Sequence, residues 1–219
     1  MKCFVLNGWA ASERAWDLCR FPRERIFSYV EQLDGLHLKA LEEVDGAILV
    51  GWSMGGSMAL SLAAEFPEKI RGLVLVAATP RMMEDRPTSW RGMSERRLDA
   101  LRRGLELTRG QGFFGPPEGR PNPYMTDRPE NLERGLEYLR KTDLRPKLEA
   151  AAPRFSAIGV RIFQSVADGI VRENNADYLG RVFPRSRVEK IGGSEHALPV
   201  YIPGAIDDAV FDIMAENEK

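Results

Sequence analysis

The 219-residue sequence predicts an α/β fold, a mostly parallel sheet of about six strands flanked by helices, with an inserted helical cap. Three observations lead there. Short runs rich in Val, Ile and Leu alternate with longer amphipathic stretches, the pattern of a buried parallel sheet covered by helices. Across 79–152 that pattern gives way to Arg, Glu and Leu at helical spacing. One apolar run, Ala47-Ile48-Leu49-Val50, passes directly into Gly51-Trp52-Ser53-Met54-Gly55-Gly56 and a small-residue helix.

Taken in order, the strands are expected near 2–6, 26–30, 47–51, 72–78, 159–164 and 187–191. A short helix is read at 36–43, placing His37 at the surface, and a longer one at 56–65 that ends at Phe66-Pro67. Residues 1–80 and 153–219 form the core in this reading, and 81–152 the cap. The Gly- and Pro-rich stretch 110–117 and Arg120-Pro121-Asn122-Pro123 interrupt the cap helices. The sequence has no self-similar period of the kind that marks a solenoid or propeller.

A composition of 43% hydrophobic and 29% charged residues fits a soluble globular chain, and no apolar run approaches the roughly 18 residues of a bilayer span. The opening Met1-Lys2-Cys3-Phe4-Val5-Leu6-Asn7-Gly8 reads as a strand and turn, not a secretory signal, so a cytoplasmic location is expected. Cys3 and Cys19 stand apart from each other and from histidine, which argues against a disulfide framework or structural zinc. A net charge of -1 gives no reason to expect a nucleic-acid partner. The charge is uneven, however: 81–149 carries 15 basic and 12 acidic residues.

The Gly-x-Ser-x-Gly at Gly51–Gly55 places Ser53 on a tight strand-to-helix turn, which would project its hydroxyl from the sheet. At that helix N-terminus the backbone N–H of Met54 would face a developing oxyanion. A serine hydroxyl needs a base, and His196 fits, lying in the loop Gly192-Gly193-Ser194-Glu195-His196 after a strand. Asp168, in the turn Ala167-Asp168-Gly169, supplies the middle member of the order Ser, Asp, His. Glu195 is the weaker rival, since adjacent loop side chains point apart. The second oxyanion N–H is expected from Trp9 in Asn7-Gly8-Trp9-Ala10, whose ring could also wall the pocket.

Asn7-Gly8-Trp9, the Gly51–Gly56 turn and Ala167-Asp168-Gly169-Ile170-Val171 resemble the α/β-hydrolases. More narrowly, Gly135-Leu136-Glu137-Tyr138-Leu139-Arg140-Lys141-Thr142-Asp143-Leu144-Arg145 is similar to the end of the cap in the pimeloyl-acyl-carrier-protein methyl ester esterases of biotin synthesis. Asn7-Gly8 stands where that family usually has His-Gly. The chain begins at what would be the family's third strand and is abbreviated across 17–43, so a trimmed sheet of six strands is expected.

The resemblance implies hydrolysis of the methyl ester of pimeloyl-acyl-carrier protein through an acyl-enzyme on Ser53, with no metal or organic cofactor required. It also implies acyl-carrier protein as a partner. In the cap, Leu98, Leu101 and Leu105 make an apolar stripe, Arg96 and Arg103 project opposite to it, and Arg102 and Arg109 flank it. Seven arginines against three acids over 86–109 could dock an acidic carrier. Two readings stand beside this one: a carboxylesterase or thioesterase for small free esters, and a noncatalytic binding protein on a hydrolase scaffold.

Overall fold

The computed structural model describes residues 1–85, 90–108, 119–125, 127–193 and 195–218. The expected apolar runs form strands β1 (Lys2–Leu6), β2 (Arg25–Phe27), β3 (Ala47–Trp52), β4 (Ile70–Val76), β5 (Gly159–Ser165) and β6 (Ser186–Ile191). All pair in parallel, in the order β2-β1-β3-β4-β5-β6. Helices α1 (Tyr29–Leu33), α2 (Leu36–Glu42) and α3 (Met54–Glu65) belong to the first half. Helices α4 (Glu95–Thr108), α5 (Pro129–Lys141) and α6 (Arg145–Ala151) all lie between β4 and β5, followed by α7 (Asn174–Val182), α8 (Leu198–Tyr201) and α9 (Pro203–Asn217).

Alternate strand residues point to opposite faces of the sheet and build two cores. On one face Leu6, Leu49, Leu73 and Leu75 pack with Leu60 and Leu62 of α3. On the other, Val5, Val50, Val74 and Val76 pack with Ile206, Val210 and Ile213, which recur at helical spacing along α9. Each such aliphatic side chain contributes about 1.5–3 kcal/mol when fully buried, which is why the central strands read as near-continuous apolar runs.

Four local readings are corrected. The strand expected at 26–30 stops at Phe27, because Ser28 caps α1: its hydroxyl accepts from Glu31 N–H while the Glu31 carboxylate accepts from Ser28 N–H at 2.9 Å. The strand read at 72–78 runs from Ile70 to Val76, and α3 starts at Met54 rather than at 56. His37 is not a surface residue. It lies one turn before Leu41 on the inward face of α2 and is 7% exposed, with Nδ1 lacking a hydrogen-bond partner. Burial lowers its pKa to about 4.

The excursion between β4 and β5 leaves and returns at one place. Leu144 N–H donates to the Pro80 carbonyl at 2.8 Å, and Arg81 bridges Asp143 in antiparallel fashion. Arg81 pairs with Asp85 at 2.7 Å, and Arg145 pairs with Asp85 at 2.5 Å and Asp143 at 2.6 Å while its guanidinium lies over the Trp90 ring. The stretch 110–117, Arg86, Arg109 and Ser194 lie outside the described residues.

Candidate active site

The chain runs outward from β1 to β2 and then returns to β3 on the other side of β1, so the strand order reverses between β1 and β3. In open α/β sheets the crevice at the carboxyl ends of such a pair collects ligands. Leu6 pairs with Gly51 there, and the loops beyond them carry Trp9 and Ser53.

Backbone collisions dictate the glycines of the turn. A Cβ on Gly51 would meet the Gly55 carbonyl oxygen at 2.7 Å, and one on Gly55 would run into the Leu6 carbonyl. Ser53 therefore sits on a turn pressed against the end of β1, with φ 55 and ψ -118. Such a conformation costs a non-glycine residue about 1–3 kcal/mol and persists only where the surroundings enforce it. Its N–H donates to Val76 O at 2.9 Å, and Ser57 N–H donates to its carbonyl at 3.2 Å. Met54 is the first residue of α3, so its N–H has no carbonyl within the helix to bond.

Ser53 Oγ lies 2.9 Å from His196 Nε2, and His196 Nδ1 lies 2.8 Å from Asp168 Oδ2. The Asp168 side chain is fully buried and the His196 side chain 10% exposed. Asp168 Oδ1 accepts from the N–H groups of Ile170 at 2.7 Å and Val171 at 3.1 Å, which fixes the carboxylate before the imidazole meets it. The histidine loop is stitched to the end of β5: Ser165 Oγ donates to Glu195 O at 2.6 Å, and Ala167 N–H to Gly193 O at 3.0 Å. With Nδ1–H directed at a carboxylate, Nε2 is left to take a proton from the serine. Of the two acids read from the sequence, Asp168 is the one at the imidazole.

Trp9 is buried beside Ser53, and the Cβ of Ser53 lies close enough that a Cβ on Gly8 would be 3.4 Å from it. Trp9, Trp52, Ser53 and His196 line a narrow cavity of about 30 Å³ that is roofed by Leu98 and Leu101 of α4 and by Leu136 and Leu139 of α5. No Asp, Glu, Lys or Arg lines it among the described residues. Arg96, Arg102 and Arg103 are exposed on α4 while Leu98 is buried, as the stripe requires. Arg109 and the Leu105 side chain lie outside the described residues.

Sequence reasoning missed several contributors. Tyr124 lines the cavity against Trp52, with ring centroids 5.9 Å apart; burial, and then the nearby Asp168 charge and Tyr201, hold its phenol protonated. It lies in the Pro-rich stretch after 120, where no periodicity singled it out. Trp52 and Ser165 steady the histidine loop through bonds that sequence spacing does not reveal. Among the described residues, no group of three or more His, Cys, Asp or Glu side chains is arranged to hold a metal ion, and no helix is long and apolar enough to cross a membrane.

Comparison with known proteins agrees with this architecture. The family model described as the alpha/beta hydrolase fold matches residues 6–111. The chain is 25% identical to the pimeloyl-[acyl-carrier protein] methyl ester esterase of Yersinia enterocolitica, over 97% of this chain and 93% of that one. It is 23% identical to the enzyme of the same name from Yersinia pseudotuberculosis, over 98% and 93%. Among solved structures, an esterase from Exiguobacterium antarcticum superposes with a TM-score of 0.72 at 16% identity, covering 97% of this chain and 91% of that one. A bromoperoxidase from Bacillus anthracis gives 0.70 at 20% identity, covering 98% and 92%.

Proposed function

We propose that this α/β-hydrolase, a carboxylic ester hydrolase, works through an acyl-enzyme on Ser53, with His196 as general base and Asp168 as the group that orients it. The observation that carries the reading is the unbroken line Asp168–His196–Ser53, at 2.8 and 2.9 Å, on a strained turn facing an apolar cavity. Ser53 Oγ attacks the ester carbonyl while His196 Nε2 takes its proton. The N–H groups of Trp9 and Met54 hold the oxyanion. His196 then returns the proton to the departing alcohol, and water repeats the sequence to free the acid.

The finer substrate we propose is the methyl ester of pimeloyl-acyl-carrier protein. The Yersinia relatives bear that name, the cavity offers an aliphatic chain no charged partner, and α4 presents Arg96, Arg102 and Arg103 outward to an acidic carrier. In this reading 81–152 is a cap.

The test is release of methanol from pimeloyl-acyl-carrier-protein methyl ester, beside fluorophosphonate labelling of Ser53. Labelling with turnover of small esters alone would replace the carrier substrate with a general esterase activity. No labelling and no turnover would leave a binding protein on a hydrolase scaffold.

A further inference from the structure

The indole of Trp9 joins the loop after β1 to α5. Its Nε1 donates to the Leu132 carbonyl at 2.9 Å. The same edge of the ring lies over Gly135, where a Cβ would be 2.8 Å from Nε1 and would overlap Cδ1. Residue 135 must therefore lack a side chain if the indole is to stay where it is. On its other sides α5 is held by Arg134 to Asp34 at 2.6 Å and Arg140 to Glu95 at 2.6 Å, and just ahead of it the Tyr29 hydroxyl bonds Asp127 at 2.5 Å.

The loop that carries Trp9 does not keep its shape by local preference. Ala10 has φ 52, a left-handed conformation that costs an L-residue roughly 1–2 kcal/mol. Its form is imposed by partners: Asn7 Nδ2 donates to Ala11 O at 3.2 Å, Met125 N–H to Ala10 O at 2.9 Å, and Trp9 Nε1 to Leu132 O. Two of these three partners come from the excursion between β4 and β5.

We propose that α5 sets the oxyanion site: Gly135 and the Leu132 carbonyl are positioning groups that act through the Trp9 indole to place the Trp9 main-chain N–H. This rests on the esterase reading above and adds to it that displacement of the cap is felt at the reacting carbonyl, not only at the pocket mouth.

Gly135→Ala should lower kcat for p-nitrophenyl acetate by on the order of tenfold to a hundredfold, less than the roughly hundredfold to thousandfold that follows complete loss of one oxyanion donor because the N–H is displaced and not removed, with KM within about twofold. Trp9→Ala in the same chain removes the obstructed ring, so the double variant should be no slower than Trp9→Ala alone. Trp9→Phe keeps a ring but drops the donor; its kcat should also fall, which preserves the test if Gly135→Ala does not fold. Independently of turnover, the Trp9 indole resonance of nitrogen-15-labelled protein should shift and exchange faster in Gly135→Ala. Wild-type kcat in both Gly135→Ala and Trp9→Phe, multiplicative losses in the double variant, or an unmoved indole resonance would overturn the proposal. A wild-type chain that neither turns over esters nor labels at Ser53 fails as an esterase, and the indole resonance alone then decides whether α5 holds Trp9.

Discussion

Trp52, the residue before the nucleophile, donates its indole N–H to the main-chain carbonyl of His196 at 2.9 Å, and the two rings lie 5.9 Å apart. The turn that exposes the serine thus also anchors the loop that brings the imidazole to it. Trp52→Phe keeps an aromatic side chain in the core but frees that carbonyl. We expect kcat on p-nitrophenyl acetate to fall on the order of tenfold through misplacement of the imidazole, with KM little changed. A fall in thermal stability with kcat untouched would confine Trp52 to packing.

Ser53→Ala and His196→Ala should each remove ester hydrolysis by several orders of magnitude while the circular dichroism spectrum is retained, because the two residues act as a unit. Asp168→Asn leaves the serine in place and disturbs the tautomer, so a loss of about 10³- to 10⁴-fold is expected. Near-normal rates in Asp168→Asn would remove Asp168 from the mechanism.

Gly55→Ala drives a methyl group into the Leu6 carbonyl, and backbone on both sides has nowhere to move. The expected cost is about 3 kcal/mol, seen as a lower urea midpoint at unchanged slope. An unaltered midpoint would contradict the close contact between the turn and β1.

Acid should find a weak point at His37. The unfolded chain takes up a proton near the ordinary imidazole pKa of about 6.5, whereas the folded chain resists until about 4. Stability from this residue is therefore full above about pH 6.5 and is lost as pH falls toward 4, by at most about 3 kcal/mol. Urea unfolding of wild type and His37→Leu between pH 4 and 7.5 checks this: the difference between the two should shrink or reverse on acidification. Parallel curves would mean that the imidazole is solvated.

Reversing Arg102 and Arg103 to Glu should lower kcat/KM for a carrier-linked ester and spare p-nitrophenyl acetate, with the deficit shrinking as salt rises. Equal losses on both substrates would point to a deformed pocket instead of a docking surface.

The centre of the sheet was legible because its inner strands are buried on both faces, so that apolar runs such as 47–50 and 72–76 stand out without any tertiary knowledge. The glycine turn was legible for a related reason, since backbone collisions leave visible letters. What escaped depends on contacts across long stretches of chain. His37 shows no sign of burial in 36–43, a stretch whose other residues fit a surface helix, and nothing near Tyr124 announces that it will face Trp52. The case of Ser28 differs: a Ser-x-x-Glu pair stands in the sequence at Ser28 and Glu31, but the β-forming residues around it, Ile26, Phe27, Tyr29 and Val30, read as a strand. Gly135 stood in the stretch that carried the family resemblance, but the reason for a glycine there appears only once Trp9 lies over it.

The bond from Leu144 N–H to the Pro80 carbonyl makes everything between those residues a loop whose two ends coincide. The entropy of closing such a loop grows by only about 0.6 kcal/mol for each doubling of its length. The segment is in that sense a replaceable part. Another helical insert grafted between the same two residues would leave the Ser53 turn and the strand order undisturbed while presenting a new roof to the cavity. Its obligations to the chemistry would be those that Leu132, Gly135 and Met125 now meet: a carbonyl and a bare backbone for Trp9, and an N–H for the Ala10 carbonyl.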